Sequence, residues 1–539
     1  MLNLDELLKN APEDKCDGKE KTQSTTAKTT KDKTQKGNHE LLNRICAAYK
    51  YIKDENGKPY AEVIDPHGKS TIIEVQSEDF LNNLKNDFVL KHGKFPQITE
   101  IKNVADLFHY SVKTSESTET LCLRFGEKNT ENYIDLNNSR NESVFIWNNG
   151  WAITTNPGVK FKRTGQQKEL CRPADSDDGD FKLILKYLRF KNKTQEMLTL
   201  ATICSLVRTD IIRPILCFVG PPGSAKTTNA KIIRSLLDPR EPSMNSTMKN
   251  AKDLALVFSQ NAIPFFDNQP KISREMSDML CTAVTGAGFE NRSLYTNGDL
   301  HHLSYRRGVL MTALELPSLM PDFLDRCVHI ELDKIPQTDR RSDQDMWEEF
   351  EEDKPNIFAG MLNTIARAKL WEPYLNMYMK PRLADFARFG ACVASVLGYS
   401  ENDFVRELLR NVEDEKQREL IINDPISMAI VSMVDENGDF EGTTDSLANA
   451  LNRYIVNPSQ KISAVTLGKN LKRIASHMSV AGITIEKLKR SNEGSRCRIT
   501  KCAQSSVVIT ESDKHYASLS QDSLTTHRDC ELSKENLFV

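Results

Sequence analysis

The sequence predicts a multidomain α/β protein built around one phosphate-binding turn, and three observations carry that expectation. Residues 215–219 (ILCFV) are an apolar run of strand length, GPPGSAK turns directly after it, and Ile232, Ile233, Leu236 and Leu237 then recur at helical spacing. A chain of 539 residues has material for several cores, so the segments on either side of this unit must be domains in their own right. Residues 11–37 and 503–539 are polar and poor in large apolar side chains, and such stretches cannot offset their ordering entropy.

The bulk properties narrow the setting. Net charge is −3, so any affinity for nucleic acid must come from local patches. Twelve cysteines are scattered without a CxxC pair, which reads as a reduced protein using cysteine as a small core residue and argues against a zinc site. No apolar run reaches the ~18 residues of a membrane span, and MLNLDELLKNAPED lacks the basic and apolar regions of a signal peptide. The expected location is the cytoplasm.

The elements follow in order. A disordered leader is expected over 1–38. Helices are expected at 40–51 and 77–90, with a hairpin between them (60–64 and 71–75), then short strands at 121–125, 132–136, 144–147 and 150–154. No catalytic constellation stands out before residue 181. A helical stretch, 181–209, leads into the strand at 215–219.

In the turn, backbone N–H groups and the positive end of the following helix suit the β- and γ-phosphates of a nucleotide; Lys226 adds a point charge and the Thr227 hydroxyl reaches Mg²⁺. Gly220, Pro221, Pro222, Gly223, Ser224, Ala225, Lys226, Thr227 and Thr228 are therefore the candidate ATP-binding residues. Ala225 stands where G-x-x-x-x-G-K-[ST] has its second glycine, which suits a negative φ there, with Gly223 supplying the freedom instead. A second apolar strand, AIPFF, ends at Asp267, the expected metal-side carboxylate; Asn268 follows it where a second acid would polarise an attacking water.

Beyond a helix at 273–284, Asn297-Gly298 between two semi-apolar runs signals a two-residue hairpin, whose polar tip, with His301 and His302 near it, suits a nucleic-acid channel. A strand at 308–313 offers Thr312 at its end, and DFLDR precedes a last strand at 328–332.

This order, GPPGSAKT, IPFFDN, TGAGFENRSLYTNGD, RRGVLMTALE, DFLDRCVHIEL, resembles the motor domain of the AAA+ replicative ATPases of phages, plasmids and integrated elements, together with superfamily 3 helicases and the motor half of poxvirus-type primase-helicases. The resemblance covers residues 181–398 well and the C-terminal part more loosely. It implies that Lys226 and Thr227 bind phosphate and Mg²⁺, that Asp267 holds the metal, and that the Asn297-Gly298 hairpin is a pore loop gripping DNA. It further implies that Thr312 is the polar sensor, that Arg326 is the finger completing a neighbouring subunit's site, and that the helices of 341–399 form a lid. Two departures stand out, Thr312 where the family usually has Asn and Asn268 where it often has an acid, so nucleotide binding is better supported than fast turnover.

Further on, Asp424-Pro425 opens a helix that Asn437-Gly438 stops, Thr443 and Thr444 cap a second, and a third runs from about 463 to 480 before a hairpin around residues 491–494. Three helices and a hairpin are the layout of a winged helix. In the third helix Leu467, Leu471, Ile474, Ala475 and Met478 form the buried stripe, with Lys469, Lys472 and Arg473 facing away. Ten Lys and Arg against two acids between Lys461 and Lys501 mark a phosphate-binding face, with Lys487, Lys489, Arg490, Arg496 and Arg498 on the wing. Winged helices also dock proteins; the concentration of charge favours duplex DNA.

The expected organisation is a leader (1–38), a mixed α+β N-terminal domain without an assigned role (39–192), a P-loop AAA+ core (193–335), a helical lid (336–422), a winged helix (423–502) and a disordered tail (503–539). The expected function is an ATP- and Mg²⁺-dependent DNA helicase or translocase for replication of a mobile element, working as a homo-oligomeric ring, a hexamer, with single-stranded DNA in the pore and a separate primase as a possible partner. Two alternatives stay open, an ATP-switched replication initiator that does not unwind DNA and a defence-type ATPase.

Overall fold

The computed structural model describes residues 38–502, apart from 65–69, 246–247, 249, 287–288, 293–299, 304–305, 319, 340, 378–380, 456, 458–459 and 492–493. The leader up to residue 37 and the tail at 503–539 lie outside the described residues. The chain divides into two compact units, Met1–Glu119 and Thr120–Val539.

In the first unit, helix α1 (38–47) precedes a three-stranded antiparallel sheet of β1 (Lys50–Lys53), β2 (Pro59–Ile64) and β3 (Ser70–Glu74), in that spatial order. The helix expected to run to residue 51 thus stops short, and its last residues pair with β2 as a strand. Helices α2 (Glu78–His92) and α3 (Ile98–Lys113) follow. Ser77 caps α2 by accepting from the Phe80 N–H, Gly93 ends it in the left-handed region, and Phe80, Leu84 and Phe88 carry its buried stripe.

The second unit begins inside the segment expected to be one N-terminal domain, 39–192. Strands β5 (Phe125–Lys128), β6 (Glu131–Asp135), β7 (Ser143–Trp147) and β8 (Gly150–Thr154) form an antiparallel sheet, and its Phe125, Ile134, Val144 and Ile146 lie in one core with residues 198–237 and 357–394. Two short strands, β4 (Leu121–Cys122) and β9 (Lys160–Phe161), pair in parallel beside it. A buried ion pair joins the same parts: Arg124 Nε donates to Asp238 Oδ1 at 3.2 Å, and its Nη atoms donate to the carbonyls of Asp135 and Lys168. Removing one member of such a pair leaves a buried charge uncompensated, at a cost of about 3–5 kcal/mol.

Helix α4 (Lys193–Val207) leads to a parallel four-stranded sheet of β10 (Ile215–Val219), β11 (Phe265–Phe266), β14 (Val309–Ala313) and β15 (Cys327–Glu331), in the order β11-β14-β10-β15. All residues of β10 and β14 are buried, as in parallel sheets covered on both faces. Helices α5 (Lys226–Leu237), α6 (Ala251–Gln260) and α7 (Arg274–Thr285) follow β10 in sequence, and the short α8 (Pro321–Leu324) precedes β15.

Between α7 and β14, β12 (Phe289–Arg292) and β13 (Leu300–Leu303) pair antiparallel, with Arg292 opposite Leu300. The turn expected at Asn297-Gly298 falls between these two strands. The tip residues themselves lie outside the described residues.

Beyond β15, α9 (Asp343–Trp371) is one continuous helix through Pro355. Met346 and Phe350 before the proline, and Ile357, Phe358 and Met361 after it, enter the same core, and that burial offsets the ~3 kcal/mol of an interior proline. Helices α10 (Ala384–Val396) and α11 (Glu401–Asn423) complete this part.

Residues 425–501 carry α12 (Pro425–Asn437), β16 (Phe440–Thr443), α13 (Thr444–Leu451), α14 (Ala464–Met478), β17 (Ile483–Ser491) and β18 (Gly494–Lys501). The strands make an antiparallel sheet ordered β16-β18-β17 over a core of Leu447, Leu467, Leu471, Ile474, Met478, Cys497 and Ile499. Asp424 caps α12 with Pro425 in its first turn, and Gly438 ends it. Among the described residues no helix is long and apolar enough to cross a membrane.

Candidate functional site

The site lies beyond the carboxyl ends of β10, β11 and β14, the edge of a parallel sheet where ligands bind. β10 ends at Val219, and the chain turns at Gly220 with φ 148°. A Cβ there would lie 2.3 Å from the Leu332 carbonyl, so only glycine fits. The turn continues through Gly223 (φ 78°) to Ala225, and α5 starts at Lys226.

Ala225 departs from expectation. Its φ is 65° and ψ 19°, the left-handed conformation that the missing glycine would have adopted freely. The geometry of the turn is set by its anchors, the Gly223 carbonyl accepting from the Ile335 N–H at 3.0 Å and the start of α5, so the methyl is carried at a local cost of about 1–2 kcal/mol. Ala225→Gly is expected to stabilise the second unit by about 1 kcal/mol and to raise its thermal midpoint by roughly 2 °C. An unchanged or lower midpoint in a melting scan would mean that Ala225 does not hold this conformation in solution.

Lys226 Nζ donates to the carbonyls of Gly220 at 2.6 Å and Pro221 at 2.8 Å, so the ammonium sits over the turn. Burial lowers its pKa, and attraction to Asp267 partly restores it. Among the described residues the buried Ser224 hydroxyl has no hydrogen-bond partner. Thr227 Oγ1 donates to Asp267 Oδ1 at 2.8 Å, and Thr312 Oγ1 donates to the same oxygen at 2.6 Å. The pairing of β11 with β14, Phe266 opposite Met311, is what brings Asp267 beside Thr312. Asn268 is exposed with φ 48°, and its N–H donates to Thr312 Oγ1 at 2.8 Å. Lys226, Thr227, Asp267, Asn268 and Thr312 are thus brought together from three separate stretches of chain.

Arg326 is not among them. Its carbonyl accepts from the Ile215 N–H at 2.8 Å, at the opposite end of β10 from the turn, a strand length of roughly 16 Å away. Its Nη1 donates to the Asp322 carbonyl at 2.6 Å, and the side chain is 12% exposed. Arg382 shares Asp322 at 2.9 Å.

A cavity of about 230 Å³ adjoins the turn, lined by Tyr187, Arg189, Gly223, Ala225, Thr228, Ile335, Arg341 and Met346, among others. Asn229 of α5 holds the strap 186–189 over it, exchanging two hydrogen bonds with the Arg189 backbone. The Tyr187 hydroxyl donates to the Asp353 carboxylate and to the Glu349 carbonyl. Sequence reading missed these residues: they stand about 35 and 110 residues from the turn and share no motif spacing with it.

The basic residues of 461–501 lie on α14 and on the β17–β18 hairpin. Lys469, Lys472 and Arg473 are exposed on α14, with Arg473 3.6 Å from Asp424. Lys487 is exposed and, with Lys469, lines a groove of about 510 Å³ between α14 and the hairpin; Lys489 is exposed further along β17. Arg496 and Arg498 were expected to stand with them as phosphate contacts. They alternate with the inward Cys497 and Ile499 and both pair with Glu441 of β16, at 2.8 and 2.9 Å, because β18 is the central strand, and Arg496 lines the same groove as Lys469 and Lys487. Asn297 and the side chains of His301, His302 and Arg490 lie outside the described residues.

Comparison with known proteins bears on both parts. Residues 181–415 match the family described as the actinomycete integrative conjugative element replication protein, and residues 426–513 match the AICE RepA C-terminal domain. No curated protein matches the chain. Among solved structures, the apo C-terminal region of NrS-1 is 11% identical with a TM-score of 0.35, covering 86% of this chain and 98% of its own. A RuvB mutant of Thermotoga maritima is 15% identical with a TM-score of 0.22, covering 59% of this chain and 94% of its own.

Proposed function

We propose that this chain is a mobile-element replication protein that binds ATP and Mg²⁺ at the 220–228 turn and uses hydrolysis to move or melt DNA as a homo-oligomeric ring. The observation that carries the reading is the convergence of Thr227 and Thr312 on one oxygen of Asp267 beside Lys226. The residues fit a polyphosphate and its cation: among the described residues the buried Ser224 hydroxyl has no partner, and the hydrogen bonds described for the Lys226 ammonium go to carbonyls of the turn. Lys226, Ser224 and the turn's N–H groups would hold phosphate, and Thr227 and Asp267 would hold Mg²⁺, which when bound neutralises charge developing on the transferred phosphoryl group. Thr312 orients the Asp267 carboxylate and senses its state. The cavity beneath Tyr187 and Arg189 receives the base.

Arg326 lies too far from its own chain's turn to serve it, so its proposed role is in a neighbour's site. On this reading the chains assemble as a ring, 193–335 is an AAA+ core and 336–422 is its lid. The helices and hairpin of 423–502 act as a winged helix on duplex DNA, while the β12–β13 hairpin grips the single strand in the pore. Priming falls to a separate chain.

The test is ATP hydrolysis with and without single-stranded DNA, run beside unwinding of a forked duplex. DNA-stimulated hydrolysis with unwinding supports the motor. Asn268, an exposed amide where an acid would polarise water, favours a second reading, the ATP-switched initiator; ATP binding and duplex binding without DNA-stimulated turnover would select it.

For the duplex face, Lys469→Ala with Lys472→Ala is expected to reduce the slope of log K against log salt by about 2, near one for each phosphate that is no longer neutralised. Arg498→Ala, whose side chain is already engaged by Glu441, should leave that slope unchanged. Equal effects of the two variants would place the DNA face elsewhere.

A further inference from the structure

β15 is an edge strand of the parallel sheet, and its side chains alternate. Val328 and Ile330 enter one core, so His329 and Glu331 share the other face. Helix α11 lies along that face, and Asn411 brackets His329, its Oδ1 accepting from the His329 N–H at 3.2 Å and its Nδ2 donating to the His329 carbonyl at 2.9 Å. One helical turn on, Glu415 is brought against the imidazole, Oε1 lying 3.5 Å from Nε2.

One ligand atom from each of His329, Glu331 and Glu415 lies within 4.8 Å of the other two. His329 is 9% and Glu415 5% exposed, and Glu415 Oε2, buried, has no hydrogen-bond partner among the described residues. The three line a cavity of about 280 Å³. Two cations stand at its border, Arg418 3.5 Å from Glu415 Oε1 and Lys191 3.2 Å from Glu331 Oε2. These two contacts are to Glu415 Oε1 and Glu331 Oε2, and Glu415 itself lines the cavity. Asp414 and Glu407, with Arg410 between them, add further negative charge to the same cavity.

We propose that His329, Glu331 and Glu415 bind a divalent transition-metal ion of the zinc class, with a remaining coordination position open to the cavity. An imidazole with two carboxylates is a donor set for zinc, whereas magnesium and calcium take oxygen alone. The ion would cross-link α11, which ends at Asn423, with the strand whose Glu331 stands opposite Val219, the residue before the turn. This site is independent of the nucleotide chemistry proposed above.

The test is a titration of the chelator-stripped, reduced full chain with Co²⁺. The expected result is one equivalent with visible d–d absorption and no thiolate charge-transfer band, a discriminating signature in a chain with twelve cysteines. Glu415→Gln and Glu331→Gln should each weaken binding at least tenfold, since loss of an outer-sphere partner alone costs about 10–100-fold. Zn²⁺ should raise the thermal midpoint of the wild type and not of the variants. Thiolate bands only, no cobalt spectrum, or wild-type affinity in both variants would overturn the site. If Glu415→Gln fails to fold by circular dichroism, Glu331→Gln, on a side chain 43% exposed, decides.

Discussion

Arg326→Ala is expected to lower ATP turnover of the assembled protein by about 10³–10⁵ while leaving ATP affinity close to wild type, the effect of losing an arginine that completes another chain's site. The sheet supplies the reason. Arg326 is bonded through its carbonyl to Ile215 at the start of β10, and the phosphate turn follows the end of that strand. No rotamer of a side chain so placed spans the intervening strand. In the single chain Arg326 donates to the Asp322 carbonyl and stands 3.4 Å from its carboxylate, which Arg382 also contacts; releasing Arg326 therefore leaves that carboxylate with a partner. Mixing Arg326→Ala with Lys226→Ala checks the geometry, because one supplies an intact turn and the other an intact arginine. Partial recovery of hydrolysis is expected. Wild-type turnover in Arg326→Ala, or no recovery on mixing, would remove Arg326 from the chemistry.

The second large effect is at Lys226 itself. Lys226→Ala should weaken ATP binding by on the order of 100-fold and abolish measurable turnover, since hydrogen bonds to charged groups contribute about 1.5–3 kcal/mol each and each 1.4 kcal/mol is tenfold in affinity. The fold should survive. Lys226 Nζ touches only the Gly220 and Pro221 carbonyls of the turn, among the contacts described for it, and those carbonyls can turn to water. Equilibrium binding of a fluorescent ATP analogue, with circular dichroism as the folding control, separates lost chemistry from lost structure. Tight binding by this variant would overturn the assignment of the turn.

The two predictions differ in how far the sequence could carry them. The turn was legible because its parts are contiguous: strand, glycines, lysine, threonine and helix occupy 215–237, and short-range sterics dictate their conformations. Asp267 and Thr312 were legible as strand ends, but their meeting at one carboxylate oxygen is a matter of strand order, β11-β14-β10. Ala225 shows the limit of local reasoning. Residue preference alone argues against a positive φ at alanine, and the anchors on either side of the turn impose it. Arg496 and Arg498 show it again, since Glu441 engages them through the pairing of β16 with β18.

By itself the sequence determined the glycine-containing turn at 220–225, the helix that follows it, the capped helices after residue 424 and the excess of basic residues between 461 and 501, all of which rest on interactions within a few residues of one another. Tertiary structure decided that residues 120–192 join the unit that carries the 220–228 turn, that Arg326 stands a strand length from its own turn, that Tyr187 and Arg189 adjoin the cavity beside it, and that His329, Glu331 and Glu415 share one cavity. Those outcomes depend on which buried faces pack together and which strands pair, and the free energy that selects them is spread over contacts between residues tens to hundreds of positions apart.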